Sequence, residues 1–382
     1  MTIMLSQEPE YVEPLRHFLR QECTREVVRA QDVGHEPPLG LLRRLGELGY
    51  LRIGLEPEWD GVGDFTDATR VMEEIGRFNL ALGHLAGRAL YGIQALRHYG
   101  TDEQQRRLIP LLASGEGVFS IAFTEPDVGS DAASIRTRAR LETDEWVISG
   151  EKVFASSFAY ARLAMVSVRT DPDAPGRDGI SILLVDPRAD GISCQRLDTL
   201  GDWSVGTYRV FFDDVRVPRD AVFGGESGGW RVISGHLVRE RAIMSARAIG
   251  ATAGLLDDTA EYVSQRVQFG HALADHQAVQ HKLADIRIQL RVARAALYEL
   301  AAEEATGAAV PADAAAVKVF ATEMYLNAAN TCLQVTGGFG YTNDFPAERH
   351  LRDARAYVVG GGSSEVLRNV IARELLRPFR AR

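Results

Sequence analysis

The stretch WVISGEKVFAS, Trp146–Ser156, is short, rich in β-branched and aromatic residues, and interrupted by a glycine, Gly150. That texture predicts a strand rather than a helix. Three neighbours share it: LAMVSVRT (Leu163–Thr170), ISILLVD (Ile180–Asp186) and YRVFFDDVRVP (Tyr208–Pro218). Gly, Asp and Pro punctuate them, and no long helical pattern separates them. They therefore predict a small antiparallel β-domain over residues 118–228.

Moving outward, the period changes on both sides. Upstream, PPLGLLRRLGELGYLRIG (Pro37–Gly54) sets Leu41, Leu42, Leu45 and Leu48 at helical spacing. Residues Asp67–Gly100 read as two apolar-striped helices. TDEQQRRLIPLLASGE (Thr101–Glu116) opens on a threonine N-cap followed by acids in the first turn. Downstream, Trp230–Val267 reads as one long helix, His276–Ala305 as a second and Pro311–Gly338 as a third, stopped by Gly337 and Gly338. Ser363–Arg377 makes a fourth, and four such helices predict an antiparallel bundle. The expected organisation is α+β: an N-terminal helical domain (1–117), a middle β-domain (118–228) and a C-terminal four-helix bundle (229–382).

Bulk properties narrow the class. The 382 residues are 46% hydrophobic and 25% charged, as in a soluble globular protein, and the formal net charge is −9. An acidic chain is poorly matched to nucleic acid or an anionic membrane. Cys23, Cys194 and Cys332 are far apart and lack metal-ligand spacing. The N-terminal residues lack a basic–apolar–small signal pattern, so a cytoplasmic location is expected.

Two further motifs stand out. AFTEPDVGSD (Ala122–Asp131) places a Thr, a Pro-initiated turn, a Gly and a Ser-Asp in one polar loop, whose backbone N–H groups suit an anion. QVTGGFGYTNDFPAERHLRDAR (Gln334–Arg355) carries a spaced Gln, Gly-Gly, Gly-Tyr, Arg and Asp. Together with GEKVFAS, FFDDVRVP and RVQFGHALADHQAVQHKLAD (Arg266–Asp285), in that order along nearly the whole chain, they resemble the acyl-CoA dehydrogenase superfamily.

The resemblance implies an FAD-dependent enzyme that converts an acyl thioester to its α,β-enoyl thioester, with hydride passing from the β-carbon to flavin N5. It implies that Thr124 bonds the isoalloxazine edge and that Ser130 reaches the diphosphate or substrate region. Asp127 stands where the family usually has a small residue, so this loop is expected to differ in shape. Phe154 would lie against the flavin face with Ser156 near N5. Arg266, Gln268 and Phe269, with Gln334 and Gly338, would reach the FAD of a neighbouring subunit. A homo-oligomer follows, a tetramer in most of the family, with electron-transfer flavoprotein as the expected electron acceptor.

The glycine run VVGGGSSEVLR (Val358–Arg368) places the base. Many family members carry a glutamate just before the Ser-Ser-Glu-like segment; here that position is Gly361, which has no acid–base group and would only border the substrate. In the isovaleryl- and long-chain-type branches the glutamate comes instead from a Glu-Arg pair on the first bundle helix. Glu240-Arg241 matches that pair. Leu237, Glu240, Met244 and Arg247 or Ala248 also share one helical row, which sets Glu240 beside an apolar stripe. An unpaired carboxylate there would be desolvated, which favours a general base. Ser363 and Glu365 are expected near FAD, with Glu365 the competing acid, and Arg241 near the thioester's pantetheine or nucleotide end. Val238 replaces a polar residue found in several CoA-binding relatives, and LGDWSVGTYRV lacks the Arg that often follows its LG. A carrier-protein-tethered acyl group is therefore an alternative substrate to acyl-CoA, and an oxidase or monooxygenase variant an alternative reaction. A non-enzymatic, flavin-loaded binding protein would need a basic extension longer than the RPFRAR tail.

Overall fold

A computed structural model describes residues 9–380. Part of the N-terminal segment read above for a signal pattern, and the last two residues of the basic tail, lie outside the described residues. The chain opens with helices α1 (Val12–Glu22), α2 (Arg25–Val33), α3 (Leu39–Glu47), α4 (Phe65–Phe78), α5 (Leu80–Tyr99) and α6 (Asp102–Ala113). Their starts follow from local chemistry. Thr101 caps α6 as its sequence predicts: its hydroxyl accepts the Gln104 N–H at 3.2 Å and the Gln104 side chain returns the bond at 3.1 Å.

Strands β1 (Phe119–Ala122), β2 (Arg138–Glu142), β3 (Glu145–Ser156), β4 (Leu163–Arg169), β5 (Ile180–Val185), β6 (Ile192–Arg196), β7 (Thr207–Pro218) and β8 (Val222–Phe223) form one sheet. Its order is β6-β7-β3-β2-β4-β5-β8, with β1 also on β4. Most pairs are antiparallel, as expected, but β1 runs parallel to β4 with Phe119 opposite Leu163, so the sheet is mixed. Some forty residues separate the two strands, a connection long enough to return the chain in the same direction. Periodicity within a strand carries no information on that choice.

The C-terminal part contains α7 (Gly229–Gly235), α8 (Leu237–Gln265), a small hairpin of β9 (Val267–Gln268) and β10 (His271–Ala272), α9 (Gln277–Ala305), α10 (Pro311–Thr336), α11 (Ala347–Val359) and α12 (Ser364–Arg380). Two expectations need correction. The long helix read over Trp230–Val267 breaks at His236, whose buried ring is wedged edge-on against Tyr99 and His98. The segment after Gly337 also contains a helix, α11, which packs on α10 and adds to the four predicted bundle helices. Its buried Ala347, His350, Asp353, Ala354, Tyr357 and Val358 follow helical spacing, but a histidine and an aspartate interrupt the stripe, so it is faint in sequence.

The N-terminal and C-terminal helices share one core, in which Met72, Ile75, Leu85 and Ala89 join Ala246, Ile249, Leu297 and Tyr325. The close approach of α4 to α8 depends on Gly250: a Cβ there would stand 2.0 Å from the Glu73 carbonyl oxygen. The sheet has its own core of Trp146, Ile148, Val166, Val210 and Phe212. A third cluster, including Leu96, Leu112, Phe119, Met165 and Phe223, seals α5 and α6 onto the sheet.

Candidate active site

Glu240 lies in the first turn of α8. Beneath it α4, α5 and α8 border a partly open pocket lined by Phe65, Arg88, Tyr91, Glu240, Ile243 and Arg247 among others. Glu240 is not unpaired, as its place beside an apolar stripe suggested. Its Oε1 accepts a hydrogen bond from Arg88 Nη1 of α5 at 3.2 Å, and both side chains are about four-fifths buried. The partner arrives from another domain, so spacing along α8 could not reveal it.

Two more cations border the carboxylate. Arg241 is buried, and its Nε has no hydrogen-bond partner. Burial lowers its affinity for a proton, and Glu240 opposes that. Lys318 of α10 is completely buried and donates to the Gly362 carbonyl at 2.9 Å. Its pKa is pushed down to about 8, chiefly by burial and next by Arg241, while Glu240 pulls the other way.

Gly361 faces this group. Its φ is +66°, and a Cβ there would stand 3.0 Å from Met244 Sδ and 3.9 Å from Lys318 Cε. Met244 is one turn beyond Glu240 on α8, so the glycine turn and the glutamate border the same space. Ser363 accepts the Val366 N–H at 3.3 Å and starts α12. Glu365 sits in the exposed first turn of that helix, its pKa lowered by its own backbone N–H and then by Ser363.

The polar loop Thr124–Asp131 is anchored from below. Lys152 of β3 is fully buried and donates to Glu125 Oε1 at 2.8 Å, Ser167 Oγ at 3.0 Å and the Phe123 carbonyl at 3.1 Å. Glu125 also accepts the backbone N–H groups of Arg136 and Thr137. Burial pushes the lysine down; Lys152 and the two backbone donors outweigh the effect of burial on Glu125, which is held low. The Val153 N–H donates to the Thr124 carbonyl at 2.8 Å, tying the loop to the strand that carries Phe154. Ser130 and Asp127 are exposed, and Asp127 pairs with Arg136 at 3.4 Å.

Phe154 is the most unusual residue of β3. Its φ is +58°, it occupies a bulge where pairing with β7 slips between Lys152 and Ala155, and its ring is 62% exposed. A bulky side chain in left-handed backbone is strained and is retained mainly where the surroundings demand it. An exposed aromatic face beside a polar loop, with Ser156 two residues on and half-buried, is what a flat, polar-edged cofactor needs. These residues fit FAD. Arg266, Gln268, Phe269, Gln334 and Gly338 gather elsewhere, at an exposed end of the bundle, where the Arg266 guanidinium lies 5.8 Å from the Phe339 ring centroid.

Comparison with known proteins matches the chain to three successive family models: acyl-CoA dehydrogenase N-terminal domain over residues 6–116, middle domain over 120–215 and C-terminal domain over 227–376. A Bacillus subtilis protein named probable acyl-CoA dehydrogenase YngJ is 33% identical, covering 99% of this chain and 100% of its own. The mitochondrial long-chain specific acyl-CoA dehydrogenase of Sus scrofa is 30% identical over 98% of this chain and 87% of its own. Butyryl-CoA dehydrogenase from Megasphaera elsdenii superimposes with a TM-score of 0.93 at 26% identity, covering 99% and 100% of the two chains.

The chain belongs to the acyl-CoA dehydrogenase family. Its three-part helical–β–helical architecture is that of the family, whose members are flavoproteins that oxidise acyl-CoA thioesters. Within this acyl-CoA dehydrogenase frame, sequence reasoning missed Arg88, Arg247 and Lys318. Arg88 and Lys318 sit in apolar-rich helical stretches, and a charge in such a stretch was the available signal. Among the described residues no group of three or more His, Cys, Asp or Glu could hold a metal ion, and no helix is long and apolar enough to cross a membrane.

Proposed function

We propose that this chain carries out FAD-dependent α,β-dehydrogenation of an acyl-CoA, with Glu240 as the base that removes the α-proton. The observation that carries the assignment is the juxtaposition of Glu240, in the pocket under α8, with Gly361, which leaves that side of the space without an acid. Arg88, at 3.2 Å, holds the glutamate carboxylate in one orientation and balances its charge inside the pocket. Arg241 and Lys318 add positive potential where the α-carbanion's charge would develop, and Lys318 fixes the glycine turn through the Gly362 carbonyl. Phe65, Tyr91 and Ile243 shape the wall against which an acyl chain packs and from which water is displaced. FAD, when bound, supplies the hydride acceptor; Thr124, Phe154, Ser156 and Ser363 would hold it, with Ser130 and Glu365 at the edges.

The same proposal includes a homo-oligomer, a tetramer by the family's habit, in which Arg266, Gln268, Phe269, Gln334 and Gly338 meet a neighbouring subunit's FAD. Electron-transfer flavoprotein is its proposed electron acceptor, and the cytoplasm its proposed location. Neither a carrier-protein substrate nor an oxidase reaction has an observation of its own in this pocket.

The test is Glu240→Gln. The variant should retain the yellow flavin and the fold but bleach on addition of acyl-CoA about 10²–10⁴-fold more slowly, the usual loss on removing a general base. Bleaching at near wild-type rate would remove Glu240 from the mechanism.

A further inference from the structure

Three arginines line the pocket below Glu240, and their charges are not equally balanced. Arg88 is paired with Glu240 at 3.2 Å and Arg239 with Glu304 at 2.6 Å. Arg247 is in no ion pair among the described residues. It is 8% exposed, its Nε has no hydrogen-bond partner, and among the described residues it makes one long hydrogen bond, 3.5 Å from Nη1 to the Gly83 carbonyl. Its guanidinium lies 5.4 Å from the Tyr357 ring centroid. The carboxyl of Asp202 feels its charge, and no ion pair joins the two among the described residues. A buried guanidinium without a carboxylate is costly to keep, and that cost is relieved by an anion delivered from outside.

The route for that anion is the acyl pocket itself. Arg247 lines it, and α5 makes room for the side chain by presenting glycines: a Cβ on Gly83 would stand 3.3 Å from Arg247 Cδ, and one on Gly87 3.6 Å from Arg247 Cζ. The side chain thus reaches back toward Ile243, to the level of Gly87. From Glu240 to Ile243 is one turn, roughly 5 Å along α8. His84, beside Arg247, is also buried with Nε2 unpartnered, and burial followed by Arg247 and Arg88 keeps its imidazole neutral. The pocket wall therefore carries a guanidinium in no ion pair among the described residues, where a plain hydrocarbon tail would be matched best by an apolar wall.

We infer that the acyl-CoA taken by this enzyme ends in a carboxylate, bound by Arg247, so that the substrate is the mono-CoA thioester of a short dicarboxylic acid. This rests on the dehydrogenase reading above, because it assumes that the acyl α-carbon lies beside Glu240. The span to the guanidinium suits a carboxylate about three carbons past the α-carbon. A planar guanidinium grips a carboxylate through two parallel N–H bonds, a match that a methyl or hydroxyl end cannot make.

The experiment is equilibrium binding by the flavin-loaded enzyme of three thioesters of equal length: glutaryl-CoA, pentanoyl-CoA and 5-hydroxypentanoyl-CoA. Wild type should bind glutaryl-CoA at least about tenfold more tightly than either of the others, one charge-assisted pair set against an unpaired buried cation. Arg247→Met should abolish or reverse that preference while binding pentanoyl-CoA more tightly than wild type does. Arg247→Lys, which keeps the charge and loses the fork, should fall between. Tighter wild-type binding of pentanoyl-CoA or the hydroxy compound overturns the inference, as does an equal loss for all three in Arg247→Met. Should Arg247→Met not fold, the wild-type ratio decides alone. Flavin bleaching is recorded in parallel: bleaching by pentanoyl-CoA with no glutaryl preference sinks only this inference, whereas tight glutaryl-CoA binding without bleaching by any thioester sinks the dehydrogenase reading. Failure to bind any of them sinks both.

Discussion

Gly361 leaves one side of the space bordered by Glu240 without a carboxylate. Its φ of +66° belongs to the left-handed region, and the atom nearest to a Cβ there is Met244 Sδ at 3.0 Å. Gly361→Ala should therefore destabilise the fold by about 1–2 kcal/mol from backbone strain, with a smaller addition because the methionine can swing away. Urea denaturation measures it, and an unchanged midpoint would show that the turn relaxes freely. The sequence was informative here because absence of a carboxylate can be read directly, and so can the Glu-Arg pair upstream. Arg88 was not legible: a lone arginine in a buried, glycine-punctuated helix acquires meaning only when α5 is laid against α8. Phe154 was legible as a motif residue, but its left-handed backbone and exposed ring were not, since a strand phenylalanine ordinarily points inward.

At the scale of elements, the break between α7 and α8 is instructive. His236 is 2% exposed, and burial, then His98 and Arg239, push its pKa from 6.5 to about 3. The native state therefore refuses a proton that the unfolded chain accepts below about pH 6.5, so stability falls with pH across the window from 6.5 to 3. This one group should remove about 2 kcal/mol between pH 7 and pH 5. His236→Asn should flatten that dependence in denaturant titrations at the two pH values, whatever its effect at pH 7. Parallel losses in wild type and variant would show that the imidazole already charges in the folded protein. Helical periodicity runs unbroken through Trp230–Val267, which is why the break was unforeseen: it is imposed by the rings of Tyr99 and His98 on a different helix. The same blindness hid the parallel pairing of β1 with β4, since a strand's own pattern is identical in either direction.

Across the whole molecule, one end of the bundle remains conspicuously apolar. Phe269 is 93% exposed and Tyr341 82%, with Val267 and Phe339 more than half exposed beside them. An aromatic cluster of this kind, next to Arg266 and Gln268, marks an interaction surface. If it meets a neighbouring subunit and its FAD, Phe269→Ser should shift the protein toward smaller assemblies in sedimentation velocity and lower its flavin content in step. Loss of neither would detach this end from both roles. The alternation of helical and strand periods, the capping of α6, the glycine stop of α10 and the pairing of Glu240 with Gly361 as complementary signals were all set by the sequence itself, because each depends on residues near one another in the chain or on an absence that can be counted. The charge balance of the pocket was decided only by tertiary structure. Arg88, Arg239 and Arg247 look alike in the sequence; folding hands Glu240 to the first and Glu304 to the second and leaves the third buried and in no ion pair among the described residues, because a carboxylate's partner is chosen by distance in space and not by distance along the chain.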